Sequence, residues 1–200
     1  MNQFEIFEFT SKAYTDDECI TGSENLSNEF IDISRQVQNH KNIKHIMVSN
    51  LTQSEFDEFV ENYADDYLSI YFFHNTKVKD LSALSGLKNV EYLMFYNMRA
   101  KSLWDMSRNY GLKGLDISDS KGMVYDLSEV SNAPALVEFV LTSSMHRKYI
   151  VKSLNPIVEN SSLKRVLVEC NTELKDFDPN DFRSFDYFKY RVDKYSNFKL

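Results

Sequence analysis

Histidine and cysteine are the side chains best suited to proton transfer and nucleophilic attack near neutral pH, and this 200-residue chain has four histidines, His40, His45, His74 and His146, and two cysteines, Cys19 and Cys170. A Cys–His pair needs both groups within hydrogen-bonding reach. His45 and His74 fall on successive strands of a periodic pattern, whereas Cys170 lies several periods further along. The three converge only if the chain curls tightly, so a surface or partner-contacting role is expected for each His. The run Asp176, Asp178, Asn180, Asp181 begins like a calcium loop, but its sixth position is Asp181 where Gly is needed and its twelfth is Tyr187 where Glu is needed. A solvated acidic turn is expected there, and a solvated face at Asp16 to Glu18. No phosphate-binding Gly-rich loop, HExxH, CxxC or GxSxG occurs. The chain is therefore expected not to be an enzyme, with no catalytic, cofactor-binding or metal-ligating residue assigned.

The composition, 42% hydrophobic and 14% aromatic, is ample for one core, and the five Gly and three Pro form no linker tract, so a single domain over residues 1–200 is expected. The N-terminus MNQFEIFEFTSK lacks the basic start and apolar stretch of a secretory signal. Two isolated cysteines give neither a disulfide framework nor a zinc spacing. A cytoplasmic protein is expected on both counts, and no segment approaches the length of a membrane span. The net charge of -7 is concentrated at one end: residues 1–66 hold 14 Asp or Glu against 4 Lys or Arg, whereas residues 67–200 hold 16 against 19. Such a field repels nucleic acid and favours a partner with a basic surface.

The chain's main signal is a repeat. A pattern of apolar, two variable, apolar, one variable, apolar recurs as IKHIMV from Ile43, YLSIYF from Tyr67, VEYLMF from Val90, LKGLDI from Leu112, LVEFVL from Leu136, LKRVLV from Leu163 and FDYFKY from Phe185, with starts 24, 23, 22, 24, 27 and 22 residues apart. Between these segments, DLSALSGL from Asp80 and DLSEVSNAPAL from Asp126 occupy equivalent places and read as returns. The return from Thr52 predicts a helix: Phe56, Phe59, Val60 and Tyr63 share one face behind a Thr52–Glu55 capping box. The period and pattern over residues 43–193 resemble the leucine-rich repeat family. That family follows each strand with an Asn bonded to the turn backbone; it is present at Asn75 and Asn171, one residue early at Asn50 and Asn97, and replaced by Ser120 and Ser144. The resemblance implies an α/β solenoid with a short parallel sheet of six or seven strands and helical or irregular returns. Residues 1–40 are expected to form an N-terminal cap, with a strand in FEIFEF from Phe4 and a helix from Ser27 to Asn39 whose stripe is Leu26, Phe30, Ile33 and Val37. Residues 182–200 are expected to close the other edge.

Strand alternation then assigns faces. Apolar positions one, four and six of each segment point into the core, so positions three, five and seven point to the concave face. On that face Met47, Tyr71, Phe73, Tyr92, Met94 and Tyr96 merge into one aromatic and Met-rich patch, flanked by Asp116 and Glu138 on the next two strands. Exposed, such a patch is a partner-binding site; the competing expectation is that an N-terminal segment or loop covers it and makes it core. Members of the resembling family mostly serve as protein-binding platforms. The expected function is therefore recognition of a protein on the concave face, in its narrower form neutralisation of a toxin by an immunity protein. The alternative is nucleic-acid binding through the C-terminal stretch, where Arg183, Lys189, Arg191, Lys194 and Lys199 interleave with Phe185, Tyr187, Tyr190 and Tyr195.

Overall fold

A computed structural model describes residues 4–14, 19–24, 32–144, 146–173 and 178–192. The seven segments form parallel strands whose starts match the expected positions: β2 (His45–Ser49), β3 (Ser69–Phe73), β4 (Tyr92–Tyr96), β5 (Gly114–Ser118), β6 (Glu138–Thr142), β8 (Arg165–Glu173) and β9 (Tyr187–Val192). Two short strands went unanticipated. β1 (Cys19–Thr21) pairs with β2 at the N-terminal edge, and β7 (Lys148–Ile150) pairs with the extended end of β8. Every pairing is parallel, in the order β1-β2-β3-β4-β5-β6-β8, with β9 on the far side of β8. The insertion of β7 accounts for the long 27-residue spacing before Leu163. Tyr149 of β7 is buried, and its hydroxyl donates to the Thr142 carbonyl at 2.7 Å.

The register is in phase across the sheet. Ile46, Ile70, Leu93, Leu115, Phe139 and Val166 are direct neighbours, all buried on the convex side, and Val48, Phe72, Phe95, Ile117, Leu141 and Val168 form a second such column. The returns cover these columns. α3 (Gln53–Asn62) carries the expected capping box, with Glu55 Oε2 accepting from Thr52 N at 2.7 Å, and it buries Phe56, Phe59 and Val60. The two homologous returns form a 3₁₀ turn over Ser82–Gly86 and the short helix α4 (Ser128–Ser131). In each, the leading Asp accepts from the backbone two residues on: Asp80 from Ser82 N and Asp126 from Ser128 N.

Side-chain amides tie one repeat to the next. Asn75 is fully buried, accepting from Leu51 N and donating to the Val48 carbonyl, both at 2.8 Å, and Ser120 does half of this by accepting from Met98 N at 3.1 Å. Asn50 and Asn97 are not displaced versions of that residue. They stand, with His74 and Asp119, at the left-handed turns that end β2, β3, β4 and β5, with φ between 52 and 55. Asn and Asp tolerate that backbone best, which is the reason for their spacing. Asn109 and Asn160 do similar work in the returns, each donating to two carbonyls of the preceding repeat.

The N-terminal expectation needs correction. FEIFEF is not a strand. It begins the helix α1 (Glu5–Ala13), which lies across the concave face and not over the end of the solenoid. The N-terminal end is formed by β1 and α2 (Ile33–Asn39), whose Ile33 and Val37 are buried as expected; Leu26 and Phe30 lie outside the described residues. At the other end Phe182, Phe185 and Phe188 stack in series against the last repeat. Among the described residues no helix is long and apolar enough to cross a membrane.

Candidate functional site

The concave face has its own apolar cluster, in which Phe4, Ile6 and Ala13 pack against Tyr92, Met94, Val140 and Leu167. The segment is helical for a physical reason. A chain laid across the face of a sheet finds no strand edge to pair with, so it must satisfy its backbone groups internally. Period two in FEIFEF competes with a helical stripe of Ile6, Phe9, Thr10 and Ala13, and the surroundings select the stripe. Burying Phe4 and Ile6 stabilises the docking by roughly 1.5–3 kcal/mol each. Gly114 makes room: a Cβ there would lie 2.6 Å from the Tyr92 ring and 3.2 Å from Ile6.

Electrostatics fix the direction of the helix. Phe4 supplies no side-chain cap. The cap comes instead from Glu138, whose carboxylate accepts from Glu5 N at 3.0 Å and Ile6 N at 2.8 Å, placing a negative charge on the positive end of the helix. Arg165 completes the balance, its guanidinium reaching Glu138 Oε1 through Nε at 2.7 Å and Nη2 at 2.6 Å. Further along, the Tyr92 hydroxyl donates to Glu5 Oε2 at 2.6 Å, and Phe9 stacks on Tyr92 with ring centroids 4.1 Å apart.

This cover divides the expected patch. Tyr92, Met94, Asp116 and Glu138 are 2%, 0%, 7% and 1% exposed, so the expectation that they form an open contact surface is corrected: they are interior. Asp116 has one side-chain partner, the Ser118 hydroxyl at 2.7 Å, itself 2.8 Å from the Thr142 hydroxyl. Burial pushes the Asp116 carboxyl up to about 7, against the opposing pull of that hydrogen bond. Neither acid presents a free charge to a partner. Met47, flanked in the sheet by Cys19 and Tyr71, is buried too at 9% exposed, which corrects its place in the open patch; Tyr71, Phe73 and Tyr96 remain half-buried.

Those open residues form an aromatic shelf beside the C-terminal end of α1. Phe73 stacks on Tyr96 at 5.2 Å, His74 meets both rings edge-on, and Tyr14, 55% exposed, leans on Tyr71 and Phe73. Two hollows flank it, one of about 550 Å³ between α1 and Tyr71, the other of about 370 Å³ reaching Met47, Phe73, His74 and Glu24. His74 Nδ1 lies 2.7 Å from Asn97 Nδ2, and burial, then the Arg147 charge, hold the imidazole pKa below its ordinary value. Tyr14 was not in the expected set, and His74 was expected only as a surface or partner-contacting residue, not as part of this patch. Their contribution depends on the path of α1 and on the left-handed turn at residue 74, and spacing reports neither.

The remaining candidates stay apart. His45 lies on the concave face beside Phe9, with Nδ1 2.8 Å from the Ser69 hydroxyl, whereas Cys170 is buried on the convex side and burial raises its thiol to about 12. In the C-terminal stretch Phe185 and Phe188 pack on the core, Tyr187 packs against Phe4, and Lys189 pairs with Glu169 at 2.5 Å. Lys194, Tyr195 and Lys199 lie outside the described residues, as do Asp16 to Glu18 and Asp176. Asp178 caps a 3₁₀ turn through Asn180 N at 2.8 Å.

A family model, the domain of unknown function DUF4848, matches residues 11–163. The chain belongs to this family. The matched span begins within α1 and runs through the returns to the segment that opens β8. No curated protein matches significantly. Among solved structures the chain is similar to an internalin C2 from Listeria monocytogenes, with a TM-score of 0.59 at 14% identity over 79% of this chain and 65% of that one. That likeness and the all-parallel sheet establish an α/β solenoid of the leucine-rich-repeat type for this family member.

Proposed function

We propose that the chain is a protein-binding module, not an enzyme, and that it engages its partner through the aromatic shelf that α1 leaves open. The observation that carries this reading is the cluster of Tyr14, Tyr71, Phe73, His74 and Tyr96, edge-to-face and stacked, still reached by solvent beside two hollows. Tyrosine-rich open surfaces of this kind are favoured at the centres of interfaces. The acidic N-terminal third supports a partner with a basic surface, since opposite fields speed encounter. Toxin neutralisation by a cytoplasmic immunity protein is the narrower form of this proposal, supported by size and acidity.

The test places a photo-crosslinking amino acid at Tyr96 and, as a control, at Tyr110, which is 74% exposed in the return before β5. A partner captured at position 96 and not at 110 is then titrated against Phe73→Ala and Tyr96→Ala. Binding weakened by at least about 2 kcal/mol with unchanged thermal melts is expected for hot-spot residues. Equal capture at both positions, or unaltered affinity, would overturn the reading.

A further inference from the structure

Beyond the shelf, the carboxyl ends of β4, β5 and β6 carry a second surface of opposite character. The loops that leave these strands enclose an open groove of about 590 Å³ lined by Arg99, Lys121, His146, Arg147 and Lys148, with Tyr125 and Ile150 beside them. Among the described residues no Asp or Glu lines it. On a chain of net charge -7 such a concentration of cations is local, and the fold makes it. Gly122 sits where a Cβ would lie 2.3 Å from the Ala100 carbonyl oxygen, so only glycine lets the 121–122 backbone rest on the loop below, which puts Lys121 and Arg99 on one groove. Arg147 is anchored by donating through Nη1 to the Asp119 carbonyl at 2.5 Å, at the left-handed turn that ends β5.

Two of these cations are not neutralised internally. Arg99 and Lys121 make no ion pair or hydrogen bond with any described residue. The field extends to the preceding loop, where Lys79 titrates below its ordinary range, first through burial and then through Arg99, Lys77 and Lys101, despite Glu24. Keeping like charges together costs stability and is tolerated where a ligand offsets it. Amid the cations, Tyr125 and Ile150 are 55% and 60% exposed, two of the few large apolar side chains left in solvent among the described residues.

We propose that this groove binds an extended acidic segment of a partner protein, with carboxylates on Arg99, Lys121 and Arg147 and an apolar side chain seated between Tyr125 and Ile150. Arginine's planar fork matches a carboxylate bidentately. A nucleic acid fits less well: the overall negative field opposes a long polyanion, and Ile150 offers no stacking face. A short acidic segment meets only the local field. The required ligand is opposite in sign to the basic surface favoured by the N-terminal third, so this proposal stands independently of the aromatic shelf.

The full chain would be titrated into a fluorescein-labelled peptide of six acidic residues and two leucines, followed by anisotropy at low and moderate salt. Saturable binding is expected, weakened by salt and reduced at least about ten-fold by the double reversal Arg99→Glu, Lys121→Glu. Lys121→Gln alone should weaken it about three-fold, and Ile150→Ser by a similar factor, with circular dichroism and thermal melts unchanged. Phe73→Ala should leave peptide binding intact. A thymidine oligonucleotide of equal charge should not compete. The proposal is overturned if the reversed or Lys121→Gln variants bind the peptide like wild type, if saturation is absent below about 1 mM, the weakest range of useful affinity, or if the oligonucleotide binds and the peptide does not.

Discussion

The two faces of this sheet come from the same strands and follow different rules. On the convex side each core residue is flanked by its counterparts one repeat away, Leu115 between Leu93 and Phe139, and the same apolar position recurs along the chain. On the concave side the composition changes at every strand, from Tyr92 to Gly114 to Glu138 to Arg165, and burial is supplied by residues 4–13, at least 79 positions away in sequence. A periodic face is closed by its own repetition. An aperiodic one needs an outside element, and here that element uses polar chemistry, Glu138 and Arg165 at the helix start and Tyr92 on Glu5, as much as apolar area.

The comparison is sharpest under truncation. Leu115→Ala should cost roughly 2–5 kcal/mol in chemical denaturation, because it opens a void in the convex column that neighbouring repeats cannot collapse into. A loss below about 1 kcal/mol would contradict the in-phase register.

The concave interior differs in holding an ionisable group. A carboxyl whose folded pKa, here about 7, lies above its unfolded value of 3.8 binds more protons in the folded state, so its contribution to stability falls as pH rises between those values and the penalty is complete above the upper one. Asp116→Asn should therefore be more stable than wild type at pH 8, by no more than about 4 kcal/mol, and nearly equal to it at pH 4. Parallel pH profiles for the two proteins would show that Asp116 is solvated. No equivalent change on the convex face should carry pH dependence.

Removing the helix cap tests the two closures against each other. Glu138→Ala leaves Arg165 and the first amides of α1 without their acceptor and should cost about 3 kcal/mol, the lower end for breaking a buried pair because Arg165 can rehydrate. Amide exchange should speed up in residues 5–13 and stay slow in β3 to β6. Uniform acceleration would mean that α1 and the sheet unfold as one unit. The smallest effect is expected on the shelf: Phe73→Ala should change stability by less than about 1 kcal/mol, as a half-buried ring keeps much of its solvent contact. A larger loss in a thermal melt would place Phe73 in the core and remove it from the proposed interface.

Sequence periodicity was enough for the strand starts, the column of Ile70, Leu93, Leu115, Phe139 and Val166, and the Thr52–Glu55 cap, because each depends on contacts within a repeat or between adjacent ones. It also placed Tyr71, Phe73, Tyr92, Met94 and Tyr96 on the correct face. It misjudged FEIFEF because a short apolar alternation satisfies a strand and a helix alike, and it missed β7 because three residues carry no readable pattern. The exposure of the patch was beyond it. Whether Tyr92 is interior or surface is decided by a helix docked from the far end of the chain, and whether Asp116 and Glu138 act as surface charges is decided by the same docking. The basic groove has the same origin: Arg99, Lys121 and Arg147 are scattered over three repeats, and only the stacking of those repeats brings their charges to one rim. Local spacing determines which way a side chain points. Tertiary packing determines what it then meets, because that depends on segments whose separation along the chain carries no record of their contact.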